Sequence, residues 1–233
     1  MRLDSFIAKS LGISRMQAGI SISKRKVKVD NLVVTKKDYK IDERINKIYY
    51  LDKLIEYKEF IYVMLNKPQG VVSATRDKNQ QTIIDLIAIN RDMFPIGRLD
   101  KDSEGLIILT NNGKSLHKII SPNHIVPKKY YVEVDRDLTD LEMDTMAKGI
   151  DIKNGKDELF KTQPAKVERC GQKKYFCTIT EGKFHQVKRM FSYFNSNVVY
   201  LKRISIGNIC LDNKLEIGEY RYLTDEEIAI LLK

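Results

Sequence analysis

Gly97-Arg98-Leu99-Asp100-Lys101-Asp102-Ser103-Glu104-Gly105-Leu106-Ile107-Ile108-Leu109-Thr110 runs from a tight polar loop directly into an unbroken apolar segment, and Asn111-Asn112-Gly113 ends it. A short apolar run bounded by turn residues in this way reads as a strand. The loop ahead of it carries Asp100, Asp102, Ser103 and Glu104 between two structured elements, where a rigid scaffold tends to hold catalytic groups. Acidic loops ahead of strands are also often no more than solvated, so the residues alone leave both readings open.

Outward from this segment, further strand patterns fall at Gly70–Ser73, Tyr130–Val134, Lys174–Ile179 and Val198–Ile206. Helical spacing predicts helices over Thr82–Ile89, Lys114–Ile120, Asp140–Lys148, His185–Phe194 and Asp225–Leu232. The alternation is too irregular for repeated parallel units. It predicts an α+β chain with a mixed, mainly antiparallel sheet and flanking helices.

The first quarter reads differently. Leu3, Phe6, Ile7 and Leu11 keep helical spacing, Gly12 stops that helix, and Ser14 stands where an N-cap starts a second one through Met16 and Ile20. Val27 and Val29, then Leu32-Val33-Val34, make a small hairpin turning at Asp30-Asn31. Asp52–Glu59 is a mixed-charge stretch ahead of Phe60-Ile61-Tyr62-Val63-Met64-Leu65, and it sets the expected boundary between domains 1–58 and 59–233.

The chain has 233 residues and a net charge of +10, with 42% hydrophobic and 31% charged residues. No apolar stretch is long enough to cross a membrane and no leader is recognisable, so the expectation is a cytoplasmic protein with no membrane association. Residues 1–58 hold 14 Lys/Arg against 7 Asp/Glu, which puts +7 of the +10 there. Basic charge focused in one small domain points to a polyanionic partner, because clustered cations displace phosphate counterions. Arg2, Arg15, Lys24, Arg25 and Lys28 are the candidates for that contact. Cys170, Cys177 and Cys210 neither pair off completely nor stand at zinc-ligand spacing to a histidine, so no metal is expected.

Two more segments bear polar groups in suggestive patterns. Glu181-Gly182-Lys183-Phe184-His185-Gln186-Val187-Lys188-Arg189-Met190-Phe191 leads from a glycine turn into a helix rich in donors, suited to phosphate or to a carboxylate. The same spacing equally describes a basic helix packing Val187, Met190 and Phe191 into a core. Lys128 and Tyr130 share one side of a strand by its period of two. Lys67-Pro68 punctuates a turn, and His117 and His124 have no partner at metal or general-base spacing.

Taken in order, Asn66-Lys67-Pro68-Gln69-Gly70-Val71-Val72-Ser73, the Gly97–Thr110 loop and strand, the Lys128/Tyr130/Val132 strand and Glu181–Phe191 resemble the ribosomal pseudouridine synthases. Arg2-Leu3-Asp4, Ser14-Arg15 and Lys28-Val29-Asp30 likewise resemble an S4-type RNA-binding domain of the α-L kind. The string His185-Gln186-Val187-Lys188-Arg189-Met190 is similar to the branch acting on small-subunit rRNA. Phe184, where a Tyr is common, and Asp30-Asn31, in place of Asn-Gly, are mild departures.

That resemblance implies isomerisation of a uridine in 16S rRNA, free or in a small-subunit assembly particle, with no cofactor; a monomer is expected because no leftover apolar stripe asks for a partner. It makes Asp100 the nucleophile, Tyr130 the ring against the extruded uracil, and Lys188 the cation beside Asp100, with Arg189 next in register. Arg98 is implied to fill the space the base leaves, His185, Gln186 and Arg189 to contact RNA, and Lys67, Pro68, Ser103, Glu104 and Gly105 to support the loop. Two alternatives remain at this level: a large-subunit target, and a non-catalytic rRNA-binding or assembly factor.

Overall fold

A computed structural model describes residues 1–233 apart from 44, 56, 90–91, 114–124, 154, 156 and 233. The chain divides into two compact units, Met1–Glu59 and Phe60–Lys233.

In the first unit, α1 (Leu3–Leu11) and α2 (Arg15–Ser23) are joined at Gly12, whose φ of 65° lets the chain leave α1 in the left-handed conformation. Ser14 and Gln17 cap α2 reciprocally, at 3.2 and 3.0 Å. Leu3, Phe6 and Ile7 of α1 meet Ala18 and Ile22 of α2 in one small core. Helix α2 buries Ala18 and Ile22 and turns Met16 and Ile20 outward, Met16 being 74% exposed and Ile20 48%. Strands β1 (Val27–Val29), β2 (Leu32–Val33), β3 (Ile48–Tyr50) and β4 (Lys53–Ile55) form an antiparallel sheet in the order β2-β1-β3-β4. The expected hairpin turns at Asp30 and Asn31, both at positive φ. Lys53–Ile55, expected within a linker, is instead a strand, because Leu51 and Asp52 take positive φ and fold it back on β3.

The second unit contains β5 (Tyr62–Lys67), β6 (Phe94–Ile96), β7 (Glu104–Thr110), β8 (Lys128–Val134), α3 (Asp140–Lys148), β9 (Asp151–Lys153), β10 (Leu159–Lys161), β11 (Lys166–Gly171), β12 (Lys174–Ile179), α4 (Gln186–Ser192), β13 (Val198–Ile206), β14 (Ile209–Cys210), β15 (Tyr220–Tyr222) and α5 (Asp225–Leu232). Its main sheet runs β11-β12-β8-β13-β7-β5-β15, with β6 beside β7 and β14 beside β13. Only β13 and β7 pair in parallel among these described strands, so the sheet is mixed and mainly antiparallel.

Every residue of β5 and β7 is buried, which explains their unbroken apolar runs. Alternate residues serve opposite faces: Val63, Leu65, Ile107 and Leu109 belong to one core cluster, Tyr62, Met64, Leu106 and Ile108 to the other. At roughly 1.5–3 kcal/mol for each such side chain, this double burial fixes the centre of the sheet. The loop that joins β6 to β7 is anchored there.

Two predicted elements take another form. Thr82–Ile89 is a turn and not a helix, because the Asp85 carboxylate accepts from both the backbone N–H and the hydroxyl of Thr82, at 2.7 and 2.9 Å, and closes the chain locally. Among the described residues, Gly70–Ser73 pairs only through an isolated parallel bridge from Val72 to Thr82, after Gly70 turns the chain at φ 83°. The helix expected over Lys114–Ile120, with His117 and His124, lies outside the described residues.

Candidate active site

The backbone of the Arg98–Ser103 loop is tied down by buried side chains from three separate parts of the chain. Ser73 Oγ donates to Leu99 O at 2.7 Å and accepts from Leu99 N–H at 3.1 Å. Lys67, fully buried at the end of β5, donates its ammonium to Pro68 O and Ser103 O at 2.9 Å and to Lys101 O at 3.3 Å. Arg203 of β13, also buried, donates to Arg98 O at 3.2 Å and to Leu106 O at 2.8 Å, one on each side of the loop.

Gly105 is needed where β7 meets β13: at φ 100°, a Cβ there would sit 2.3 Å from Arg203 O. Burial drives the Lys67 ammonium down to a pKa of about 8 even though Asp102, Asp100 and Glu104 oppose the shift. Pro68 contributes its carbonyl to Lys67, and Glu104 accepts from the Tyr200 hydroxyl at 2.6 Å. Burial, and then that hydrogen bond, raises the Tyr200 pKa.

Asp100 is held out of this braced backbone into a cavity of about 610 Å³ that Arg98, Lys128, Tyr130, His185 and Arg203 also line. Small-molecule sites commonly have volumes of about 300–1,000 Å³, so a nucleotide fits this scale. Lys188 of α4 approaches Asp100 Oδ2 at 3.7 Å, and His185 Nε2 approaches the other oxygen, Oδ1, at 3.5 Å. The shorter Lys188 contact is to Asp102 Oδ1, at 2.5 Å. Burial favours the neutral acid of Asp102, but the Lys188 hydrogen bond and charge outweigh it and hold its carboxyl below the usual range. Lys188 thus bridges two carboxylates.

Tyr130, 7% exposed, lies on β8 with Lys128, and both face the cavity. Burial, followed by the neighbouring Arg203 charge, lowers the Lys128 pKa.

The Glu181–Phe191 segment divides its polar residues between two tasks. Gln186 is buried, donating to Glu181 at 2.6 Å and accepting from Lys183 N–H at 2.9 Å, so its amide shapes the turn. Arg189 donates to Lys153 O at 2.7 Å and lies over the Phe184 ring, away from the place that Lys188 takes beside Asp100. Val187, Met190 and Phe191 enter the core.

In the N-terminal unit, Asp4 is buried and accepts from Arg2 at 3.0–3.1 Å and from Arg15 at 3.1–3.2 Å. Burial works against the Asp4 anion, but the two guanidinium groups prevail and lower its pKa. Arg2 and Arg15, with Lys37, Met16 and Ile20, line a groove on α2. Lys24 and Arg25 stand beyond the end of that helix, and Lys28 pairs with Asp52 at 2.6 Å.

Sequence reasoning assigned no role to Ser73, Asp102, Arg203 or Lys37. Ser73 and Arg203 act from distant points of the chain, and no local spacing ties them to the loop.

Residues 61–193 match the profile of the RNA pseudouridylate synthase family, and residues 1–44 that of the S4 domain. The chain is 40% identical over 231 residues to ribosomal small subunit pseudouridine synthase A of Escherichia coli, covering 98% of this chain and 99% of that one. It is also 40% identical over 238 residues to an uncharacterized RNA pseudouridine synthase of Bacillus subtilis, covering 99% and 98%. A solved pseudouridylate synthase structure superimposes with a TM-score of 0.70 at 38% identity, covering 99% of each chain. With a braced acidic loop facing a nucleotide-sized cavity and these full-length likenesses, the chain belongs to the RNA pseudouridylate synthase family.

Proposed function

We propose that this chain converts a uridine of small-subunit (16S) rRNA to pseudouridine, with Asp100 as the reacting carboxylate. The observation that carries the reading is Asp100 itself, held in a cavity on a fixed backbone with Lys188 at 3.7 Å and Tyr130 on the same cavity wall.

The reaction breaks the bond from C1′ to N1, turns the uracil while it stays bound, and joins C1′ to C5; N1 gains the proton that C5 gives up. The product is an isomer, so no net electrons or groups are exchanged. A carboxylate at the sugar-base junction serves either as a nucleophile or as the base that takes a ribose proton. Lys188 orients it and balances its charge.

A stacked uridine does not expose that junction, so the base is swung out at a cost of a few kcal/mol. Tyr130 stacks on the extruded uracil, an interaction worth roughly 1–3 kcal/mol, and Arg98 fills the space left behind. Arg2 and Arg15 hold phosphates of the same RNA, as do His185, which lines the cavity, and Arg189 behind the Phe184 ring. The small-subunit target rests on the name of the Escherichia coli relative, which this chain matches along nearly its whole length.

We place the protein in the cytoplasm as a monomer acting on rRNA or on an assembling particle; no helix among the described residues is long and apolar enough to cross a membrane. The test uses 16S and 23S rRNA, and assembling small subunits, labelled with tritium at uridine C5. Release from 16S rRNA or its particle, mapped to one nucleotide, is the expected result. Release from 23S rRNA alone would overturn the target, and release from none would overturn the function.

A further inference from the structure

His185 occupies a backbone conformation that L residues seldom adopt, with φ 52° and ψ 29°. Glycine and asparagine reach that region with less strain, so the histidine is there at a conformational cost. Its ring is engaged on two sides. One face stacks on Phe184, with ring centroids 3.8 Å apart and planes at 18°, while Nε2 lies 3.5 Å from Asp100 Oδ1. Lys188 meets the opposite oxygen, so the carboxylate is approached at both ends.

Phe184 is 57% exposed, yet it has its own supports. The Arg189 guanidinium lies 5.5 Å from its ring centroid and is itself tied to Lys153 O at 2.7 Å. Gly155 leaves room for the ring: a Cβ there would stand 2.9 Å from Phe184 Cδ1. A chain of contacts therefore runs from β9 through Arg189 and Phe184 to His185, and ends on Asp100.

From this arrangement we propose that His185 is a positioning residue for the reaction, fixing the Asp100 carboxylate from the side that Lys188 leaves open, and that the Phe184 stack holds His185 in place. A histidine serving only as an RNA contact would gain nothing from a left-handed backbone that turns its Nε2 toward a carboxylate. The inference rests on the reading of Asp100 as the reacting group.

The test compares wild type with His185→Gly and His185→Asn, both of which suit the local backbone, and with Phe184→Ala and Phe184→Tyr. The measurements are kcat and KM for tritium release from C5-labelled rRNA, together with the thermal midpoint. We expect His185→Gly to melt at or above the wild-type temperature and to keep its KM, while kcat falls about 10- to 100-fold, the scale of a misplaced reacting group. Phe184→Ala should lower kcat in the same direction, and Phe184→Tyr, which keeps the stack, should recover most of the loss. Unchanged kcat in folded His185→Gly would overturn the proposal, as would a loss confined to KM, which would make His185 an RNA contact. Failure of the underlying reading is separate: it shows as a wild type and an Asp100→Asn variant that release tritium equally.

Discussion

At the residue scale, the site turns on how one ammonium is shared. Lys188 is closer to Asp102, at 2.5 Å, than to Asp100, at 3.7 Å, so its charge acts on Asp100 without being fully spent in a direct hydrogen bond. Lys188→Met removes the cation from both carboxylates and should reduce kcat on the order of 100-fold, whereas Lys188→Arg keeps the charge and should retain most of the rate. Single-turnover tritium release measures both; equal rates in wild type and Lys188→Met would refute the assignment. The sequence made Lys188 a candidate because the string around it resembles a family motif, and the helical spacing of Val187, Met190 and Phe191 shows why Lys188 is left facing outward. Asp102 was not legible in the same way. An acidic residue two positions from another is ordinary in a loop, and only the fold brings Lys188 from 86 residues away onto it.

At the element scale, Arg98–Ser103 keeps its shape because Ser73, Lys67 and Arg203 hold its backbone at Arg98, Leu99, Lys101 and Ser103. Lys67 gives this bracing a pH signature. Its pKa of about 8 in the folded chain lies below the ordinary value of 10.5, so between those limits the unfolded chain binds more protons at this group. The Lys67 contribution to stability therefore rises as pH climbs from 8 to 10.5, and is flat below that window, where both states are charged. Urea unfolding of wild type and Lys67→Met across this range should show the difference moving in favour of wild type as pH rises; a difference that stays constant would contradict the shift. Periodicity read the strands well here, since β12 and β13 have the predicted bounds and β7 and β8 extend the predicted runs by two residues at their starts. It failed at Thr82–Ile89, where Ile83 and Ile87 keep helical spacing and are buried, yet a side-chain hydrogen bond from Thr82 to Asp85 substitutes a turn. Apolar spacing reports which residues go inward, and it does not report which backbone carries them there.

On the scale of the whole molecule, the charge bias of the first 58 residues resolves into a more specific surface than composition indicated. Arg2 and Arg15 are drawn together on buried Asp4 beside the exposed Met16 and Ile20, while Lys28 turns to Asp52. If the groove holds phosphates, Arg2→Gln and Arg15→Gln should each weaken rRNA binding and reduce the slope of log affinity against log salt by about 1, without altering kcat at saturating RNA. Filter binding from low to high salt measures this, and slopes equal to wild type would place the RNA elsewhere. The two-part organisation was readable from the shift between a basic helical segment and a strand-rich one. The family resemblance brought Asp100, Tyr130 and Lys188 together, but the bracing of the loop beside them by Ser73 and Arg203 was not readable, because it depends on the order of strands in the sheet. The central claim is that the Asp100 carboxylate performs the isomerisation, and tritium release by Asp100→Asn from C5-labelled 16S rRNA tests it most directly. The account predicts a variant that melts and binds rRNA like wild type and releases no tritium; a folded Asp100→Asn protein that releases it at the wild-type rate would contradict it.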